Sequence, residues 1–481
     1  MNKRSWKIIY NNYDGLEKKA IDLISEELGG YILRDKGRYT IHVLACEKET
    51  TTSFDTNAVV IGVYENSETI KKYISEDEIP YNGYVLKVMD NPENNDLKLV
   101  LITAKAPREV FYGAIEFADD FPVKAAPESG SLRFIDEAFD QKLPDYYSAS
   151  APKTDRRAVF TWGNPINDYK DYIQNMARMR LNQLIMWNDF LPINAKEVVD
   201  YAHEYGIEVI WGFAWGWSRK CDTIDLNALD KLSESVIEKY EKEYADTNAD
   251  GIYFQSFTEL TEDKIGDRLI ADVVVDFVNK TADRILKKHP NLYIQFGLHA
   301  TSVKDHMEYI AKVDPRVEIM WEDCGATCPF SNSLEPGTEE EIARVEKFTD
   351  QMISLRKNGG VSMLYKGLSL LDWRGDNFVH QCGPFILGRA GTRIVEHDRE
   401  VMKPLWRSIQ AQWYKNGIYT YNLTKHIYQS SRRDVTIGMA GQFAGGHWFP
   451  VAFCAQMLWS CDEPYEEIME KVSKRRIVDI V

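Results

Sequence analysis

Three acids stand where hydrolytic chemistry would need them. Glu259 closes the stretch DGIYFQSFTEL, a short apolar strand candidate ending in a carboxylate, and Glu322 and Asp323 close VEIMWED in the same way. Two carboxyl groups flanking a glycosidic bond are the minimal machinery for cleaving it. One protonates the leaving oxygen, and the other serves as base or nucleophile. Glu259 is the candidate acid, because Phe257 beside it and nearby tryptophans would disfavour its charged form by desolvation. Glu322 or Asp323 is the candidate partner, and adjacent strand residues face opposite ways, so only one of the two can serve. The competing structural roles are a helix entry capped by Thr258 for the first and a buried ion pair for the others.

Further side chains fall at the ends of neighbouring strand candidates. In chain order they are Trp162; Trp187, Asn188 and Asp189; Trp211, Trp215 and Trp217; Gln255; Gln295 and His299; Trp321; Lys366; then Trp373 and Arg374. Acids and amides hydrogen-bond sugar hydroxyls, and aromatic rings stack on pyranose faces; the chain is 12% aromatic, with 12 Trp and 26 Tyr. At least one of Trp211, Trp215 and Trp217 is expected in the core rather than in a site. Lys366, Arg374 and Arg389 could clamp a substrate carboxylate, the arginines bidentately. Cys324, Cys328, His380 and Cys382 invite a metal reading, but their spacing fits no standard zinc pattern. No metal and no cofactor are expected.

Such residues need a scaffold that gathers strand ends. From Arg157 the chain runs in regular strand–helix units: AVFTW, QLIMWND, EVIWGFAW, GIYFQSF, LYIQFGLH, VEIMWED and VSMLYKG alternate with amphipathic helical patterns. An eighth strand is expected in HQCGPFILGRAGTRIV. Apolar strands each followed by a helix argue for a buried parallel sheet, and this number and spacing suit a (β/α)8 TIM barrel, whose chemistry sits at the C-terminal strand ends. A doubly wound sheet is second, since no glycine-rich phosphate loop opens any helix. The expected fold is α/β: a small α+β domain over 1–145, the barrel over 146–395, and a mainly helical region over 396–481 that acts as a cap or homodimer surface. FDQKLPDYYSASAPKTDRR reads as the linker between the first two.

With 481 residues the chain can bury large cores. Its net charge of −16 argues against nucleic acid or an anionic membrane as partner. The N-terminal stretch lacks the apolar core of a signal peptide, and no run is apolar enough to span a bilayer. Seven scattered Cys read as reduced thiols. The expected location is cytoplasmic, and the expected substrate an imported oligosaccharide.

The segment GYVLKV…LKLVLITAKAPREVFYGAIEFADDF resembles the α+β domain that precedes the barrel in β-N-acetylhexosaminidases and α-glucuronidases. Phe111, Tyr112 and Gly113 match that domain's GxxYG-like turn, with its first glycine replaced. The barrel from RAVFTWG to IMWEDCG is similar in layout. The resemblance implies a glycosidase without cofactors, with Glu259 as acid, Glu322 or Asp323 as base, and a basic residue such as Lys366 reading a uronate. Hexosaminidases that use the substrate's acetamide carry two neighbouring acids after the fourth strand. Here Thr258 and Glu259 stand there, which is closer to the α-glucuronidase pattern. A hexosaminidase-like enzyme, an inactive sugar-binding barrel and a metal-dependent barrel enzyme are the alternatives.

Overall fold

The computed structural model describes residues 5–34, 42–122, 143–161, 166–188, 190–216, 224–260, 262–298, 303–324, 338–357, 360–368, 384–389, 391–430, 432–441 and 448–474. Its contacts divide into two units, one of residues 1–152 with 204–206 and 466–477, the other of 153–203 with 207–465 and 478–481.

In the first unit, β1 (Ser5–Tyr10), α1 (Gly15–Arg34), β2 (His42–Lys48), β3 (Asn57–Val63), α2 (Glu68–Tyr73), β4 (Tyr84–Asn91), β5 (Asn94–Ala104), α3 (Pro107–Ile115) and β6 (Tyr146–Ser150) build a six-stranded sheet in the order β2-β1-β3-β5-β4-β6. β1, β2, β3 and β5 run parallel, while β4 lies antiparallel to β5 and β6. Ser67 caps α2 by accepting from the Ile70 N–H, and Pro107 opens α3, where no backbone donor is needed. The segment read as a linker instead contributes β6. Its alternating YYSAS suits an edge strand, half-buried on one face and open on the other.

The second unit is a closed barrel of eight parallel strands: β7 (Arg157–Phe160), β8 (Gln183–Trp187), β9 (Glu208–Gly212), β10 (Gly251–Gln255), β13 (Tyr293–Leu298), β14 (Val317–Cys324), β15 (Val361–Leu368) and β16 (Val435–Gly441). Seven strands stand where the apolar runs placed them. The eighth does not. The barrel is closed by VTIGMAG, which pairs with β15 on one side and β7 on the other. Most of the 380–395 segment expected to supply it is described and forms no barrel strand: 384–389 is a turn ending in an isolated bridge from Arg389 to Asp168, and 392–395 begin a helix. The barrel therefore continues past residue 395, into the region read as helical cap.

Intervening helices cover the strands: α4 (Tyr169–Arg178), α5 (Ala195–His203), α6 (Leu229–Lys239), α7 (Ile270–Lys288), α8 (Met307–Ile310), α9 (Glu339–Ser354) and α10 (Thr392–Gln429). A two-stranded hairpin, β11 (Lys264–Ile265) with β12 (Arg268–Leu269), precedes α7, and α11 (Trp448–Trp459) follows β16. The chain's last described helix, α12, spans Tyr465–Lys474. Asp168 caps α4 by accepting from the N–H groups of Lys170 and Asp171, and Thr338 with Glu341 forms a reciprocal capping box at α9. None of these described helices is long and apolar enough to cross a membrane.

Candidate active site

Strand alternation decides which candidates share a space. Ala158 and Phe160 on β7, Ile185 and Trp187 on β8, Ile210 on β9 and Tyr253 on β10 form one buried cluster with Met320 and Leu364. These are the inward positions, so the barrel interior is packed rather than hollow. Tyr253 is wedged between Phe160 (ring centroids 4.9 Å apart) and Trp187 (5.7 Å, edge to face). Gly212 makes room for Trp187: a Cβ there would come within 2.8 Å of the indole. Trp187 and Gln255 are the last residues of β8 and β10, which places both at the C-terminal end of the barrel. The Gln255 amide Nε2 lies 3.1 Å from the Tyr253 hydroxyl, and both side chains are buried. Asn188 follows Trp187 and is half-buried.

Glu259 sits four residues beyond Gln255, on the loop that leaves β10, and its side chain is exposed. The apolar enclosure expected from Phe257 is not built. That ring is buried against Phe277 of α7, with centroids 5.7 Å apart, because the chain turns outward at the strand end and carries Phe257 to the helix layer.

Three further expectations are corrected. Trp215 is fully buried, stacked on Phe254 at 3.8 Å and edge-on to Phe277. Phe254 has the outward parity of its strand, so Trp215 belongs to the strand–helix interface and not to a sugar platform. Trp321 likewise packs on Phe348 of α9, at 4.6 Å, on the outward parity of β14. Gln295 is fully buried toward the other end of the barrel, where it donates to Gln183 (2.9 Å), the first residue of β8, and to Glu318 (3.0 Å), the second residue of β14. Trp211 is buried as well, in keeping with a core role for part of the tryptophan set.

Around Gln295 the barrel floor is polar. The Glu318 carboxyl also accepts from the Tyr293 hydroxyl and from Thr436 (3.0 Å), Gln183 donates to Glu208 (2.9 Å), and Arg156 binds Glu208 (2.8 Å) while lying 4.2 Å over the Tyr293 ring. Burial and the adjacent Glu318 push the Tyr293 phenol well above its ordinary range. Packing and bonding at that end serve stability, whereas chemistry in such barrels is built at the other.

Several candidates fall outside the described residues: Trp162, Asp189, Trp217, His299, Trp373 and Arg374, together with Cys328, His380 and Cys382. Glu322, Asp323 and Cys324 lie on β14 and Lys366 on β15, but only their backbone is described. Arg389 is described, and it bonds Glu197 rather than standing ready as a clamp. Among the described residues no three His, Cys, Asp or Glu side chains gather as a metal site. Tyr253 was missed by sequence reasoning. The signal available was the shared parity of Gly251, Tyr253 and Gln255, which puts an aromatic hydroxyl directly beneath the amide.

No family model matches the chain, and no curated protein sequence matches it. Solved structures do. The structure titled CpGH84B aligns over 97% of this chain and 70% of its own, with a TM-score of 0.55 and 13% identity. CpGH84D aligns over 75% of this chain at a TM-score of 0.43 and 13% identity, and the present chain spans only 57% of its length. What is shared with CpGH84B at this identity is the fold.

Proposed function

We propose that the chain is a glycoside hydrolase whose site lies at the C-terminal mouth of the barrel. Glu259 is the general acid, and an acid at the end of β14 is its partner. The observation carrying this reading is positional: Glu259 lies on the loop that leaves the fourth barrel strand, four residues beyond Gln255, at the end of the barrel where Trp187 and Gln255 close their strands. Opposite β15, Trp321 pairs with Met363 and Cys324 with Tyr365, so an extra residue interrupts the alternation of β14 between them, and Glu322 and Asp323 stand as equal candidates for the partner. The shared fold with CpGH84B adds support, since its name denotes glycoside hydrolase family 84. Trp187, Asn188 and Gln255 are proposed to contact the sugar.

Two sugars divide the support. A lone acid after the fourth strand favours an α-glucuronidase-like enzyme, with Lys366 and Arg374 as the remaining uronate-reading cations. The CpGH84B likeness favours a β-N-acetylhexosaminidase-like one. Incubation with an aldouronic oligosaccharide and with N,N′-diacetylchitobiose separates them: released uronic acid supports the first, released N-acetylglucosamine the second. Absence of any released sugar over long incubation, across a panel of oligosaccharides, would overturn the hydrolase reading. Glu259→Gln should lower turnover by roughly 10²–10⁴-fold, the usual weight of a general acid.

A further inference from the structure

We infer that Tyr253 is a positioning residue of the barrel mouth: its buried hydroxyl holds the Gln255 amide, and its ring the Trp187 indole, in the arrangement that receives a sugar. The inference deepens the hydrolase reading and rests on it, because Gln255 and Trp187 are sugar contacts proposed there. Tyr253 itself acts only through them.

The three side chains touch one another directly. Gln255 Nε2 donates to the Tyr253 hydroxyl at 3.1 Å, and the Tyr253 ring meets the Trp187 indole edge to face at 5.7 Å. Phe160 presses on the same ring at 4.9 Å. β9 runs between the strands that carry the two aromatic groups, and its Gly212 pairs with Trp187 on one side and with Tyr253 on the other. A Cβ at Gly212 would lie 2.8 Å from the indole, so the glycine is what lets that ring lie over β9. The backbone of Gln255 is fixed as well, since its carbonyl accepts from the Trp215 N–H at 2.9 Å. Its strand partner on β13 is Gly297, which has no side chain to shield the amide from that side.

A hydroxyl in this place calls for a reason. Tyr253 is fully buried in a cluster with Ala158, Phe160, Ile185, Ile210, Met320 and Leu364. Phenylalanine would fill the same space with no polar atom to desolvate, and a buried hydroxyl is unfavourable unless it is bonded. Here it bonds the amide that ends the strand. A glutamine left to turn in solvent loses that freedom when a ligand fixes it, which weakens binding. Held beforehand by Tyr253, Gln255 meets the sugar already oriented. Its amide nitrogen is turned to the hydroxyl, so the amide oxygen is the other end of the group, and the two lone pairs of that oxygen accept from a sugar hydroxyl or N–H.

The test is a double-mutant cycle read by calorimetry. Free glucuronic acid, free N-acetylglucosamine and the other monosaccharides of the oligosaccharide panel are titrated into wild type, Tyr253→Phe, Gln255→Leu and the double variant. The sugar that binds the wild type should bind Tyr253→Phe roughly 3–10-fold more weakly, the weight of one hydrogen bond. With leucine at 255 the same hydroxyl should matter by less than about 2-fold, because it acts through the amide. A hydroxyl that serves packing alone would lower the melting temperature and leave affinity unchanged. That result, or equal losses in both backgrounds, overturns the positioning role, while cleavage of an oligosaccharide by the wild type keeps the hydrolase reading. The expected cycle without release of any sugar supports the positioning role and removes the hydrolase. If no sugar of the panel binds, both fall. Should Tyr253→Phe fail to fold, the wild type decides: the nuclear Overhauser contact between the Gln255 amide hydrogens and the Tyr253 ring must persist when sugar is bound, and its loss on binding overturns the proposal.

Discussion

Replacing Glu318 by alanine should be among the most damaging single changes in the barrel, although it touches no proposed site residue. The carboxyl is buried and is the common acceptor for the Tyr293 hydroxyl, Gln295 Nε2 and Thr436 Oγ1. Glu318→Ala strands three donors, two on the buried Gln295 and Thr436 and one on the half-buried Tyr293. Each unsatisfied buried donor costs about 1–3 kcal/mol, and water entering the new cavity recovers part of that, so the expected loss is roughly 3–5 kcal/mol. At about 2–4 °C per kcal/mol for a domain of this size, the barrel should melt roughly 6–20 °C lower. Glu318→Gln keeps one acceptor oxygen and should lose about 1–2 kcal/mol, and Thr436→Val, which removes one donor and leaves none stranded, about 1 kcal/mol or less. Tryptophan fluorescence reads the right unit, because only Trp6 of the 12 tryptophans lies within residues 1–152. A Glu318→Ala loss below about 1 kcal/mol, or equal losses for the alanine and glutamine variants, would refute the donor-counting argument.

Trp215→Ala removes a fully buried ring from the stack with Phe254 and Phe277 and should destabilise the barrel by about 3–5 kcal/mol while leaving sugar affinity in the surviving folded fraction unchanged; calorimetry of unfolding and of binding read the two effects. The Asp250 carboxylate, bonded at 2.8 Å, raises the pKa of His203. A raised folded-state pKa means the contribution is complete below the ordinary histidine pKa of about 6.5 and is lost as pH rises through the folded value. The melting-temperature difference between wild type and His203→Gln should therefore shrink between about pH 6 and 9, and a difference that grows with pH would contradict the assignment. Asn194→Ala removes both amide bonds to Leu387 and should speed hydrogen exchange across 384–389 without changing exchange in the barrel strands.

Much of the architecture was legible because it rests on local pattern. Runs such as QLIMW and GIYFQ are apolar on both faces, and only a strand covered on both sides needs that. VTIGMAG was missed because two glycines and an alanine dilute its apolar signal; Gly438 is required by close packing, since a Cβ there would lie 2.9 Å from Ala158, its neighbour on β7. The site was harder. Chemical type placed tryptophans and amides at strand ends, but the side of the strand decides their role. Trp187 and Trp321 look alike in sequence, yet one turns into the lumen and the other against α9. Gln295 carries the same amide as Gln255 but sits three residues before its strand ends, which commits it to the floor network.

The position of β16 also sets a timetable. Between the end of β15 at Leu368 and the start of β16 at Val435 the ribosome must add more than 60 residues, including all of α10. At about 5–20 residues per second that interval lasts roughly 3–13 s. Throughout it, a seven-stranded sheet can curl but cannot close, and the N–H and C=O groups of β7 and β15 that β16 will later bond are left as two open edges. The nascent chain is then most exposed to wrong pairing with another copy of itself. A transcript cut short before codon 435 would yield a protein with every proposed catalytic residue and no means of sealing its barrel.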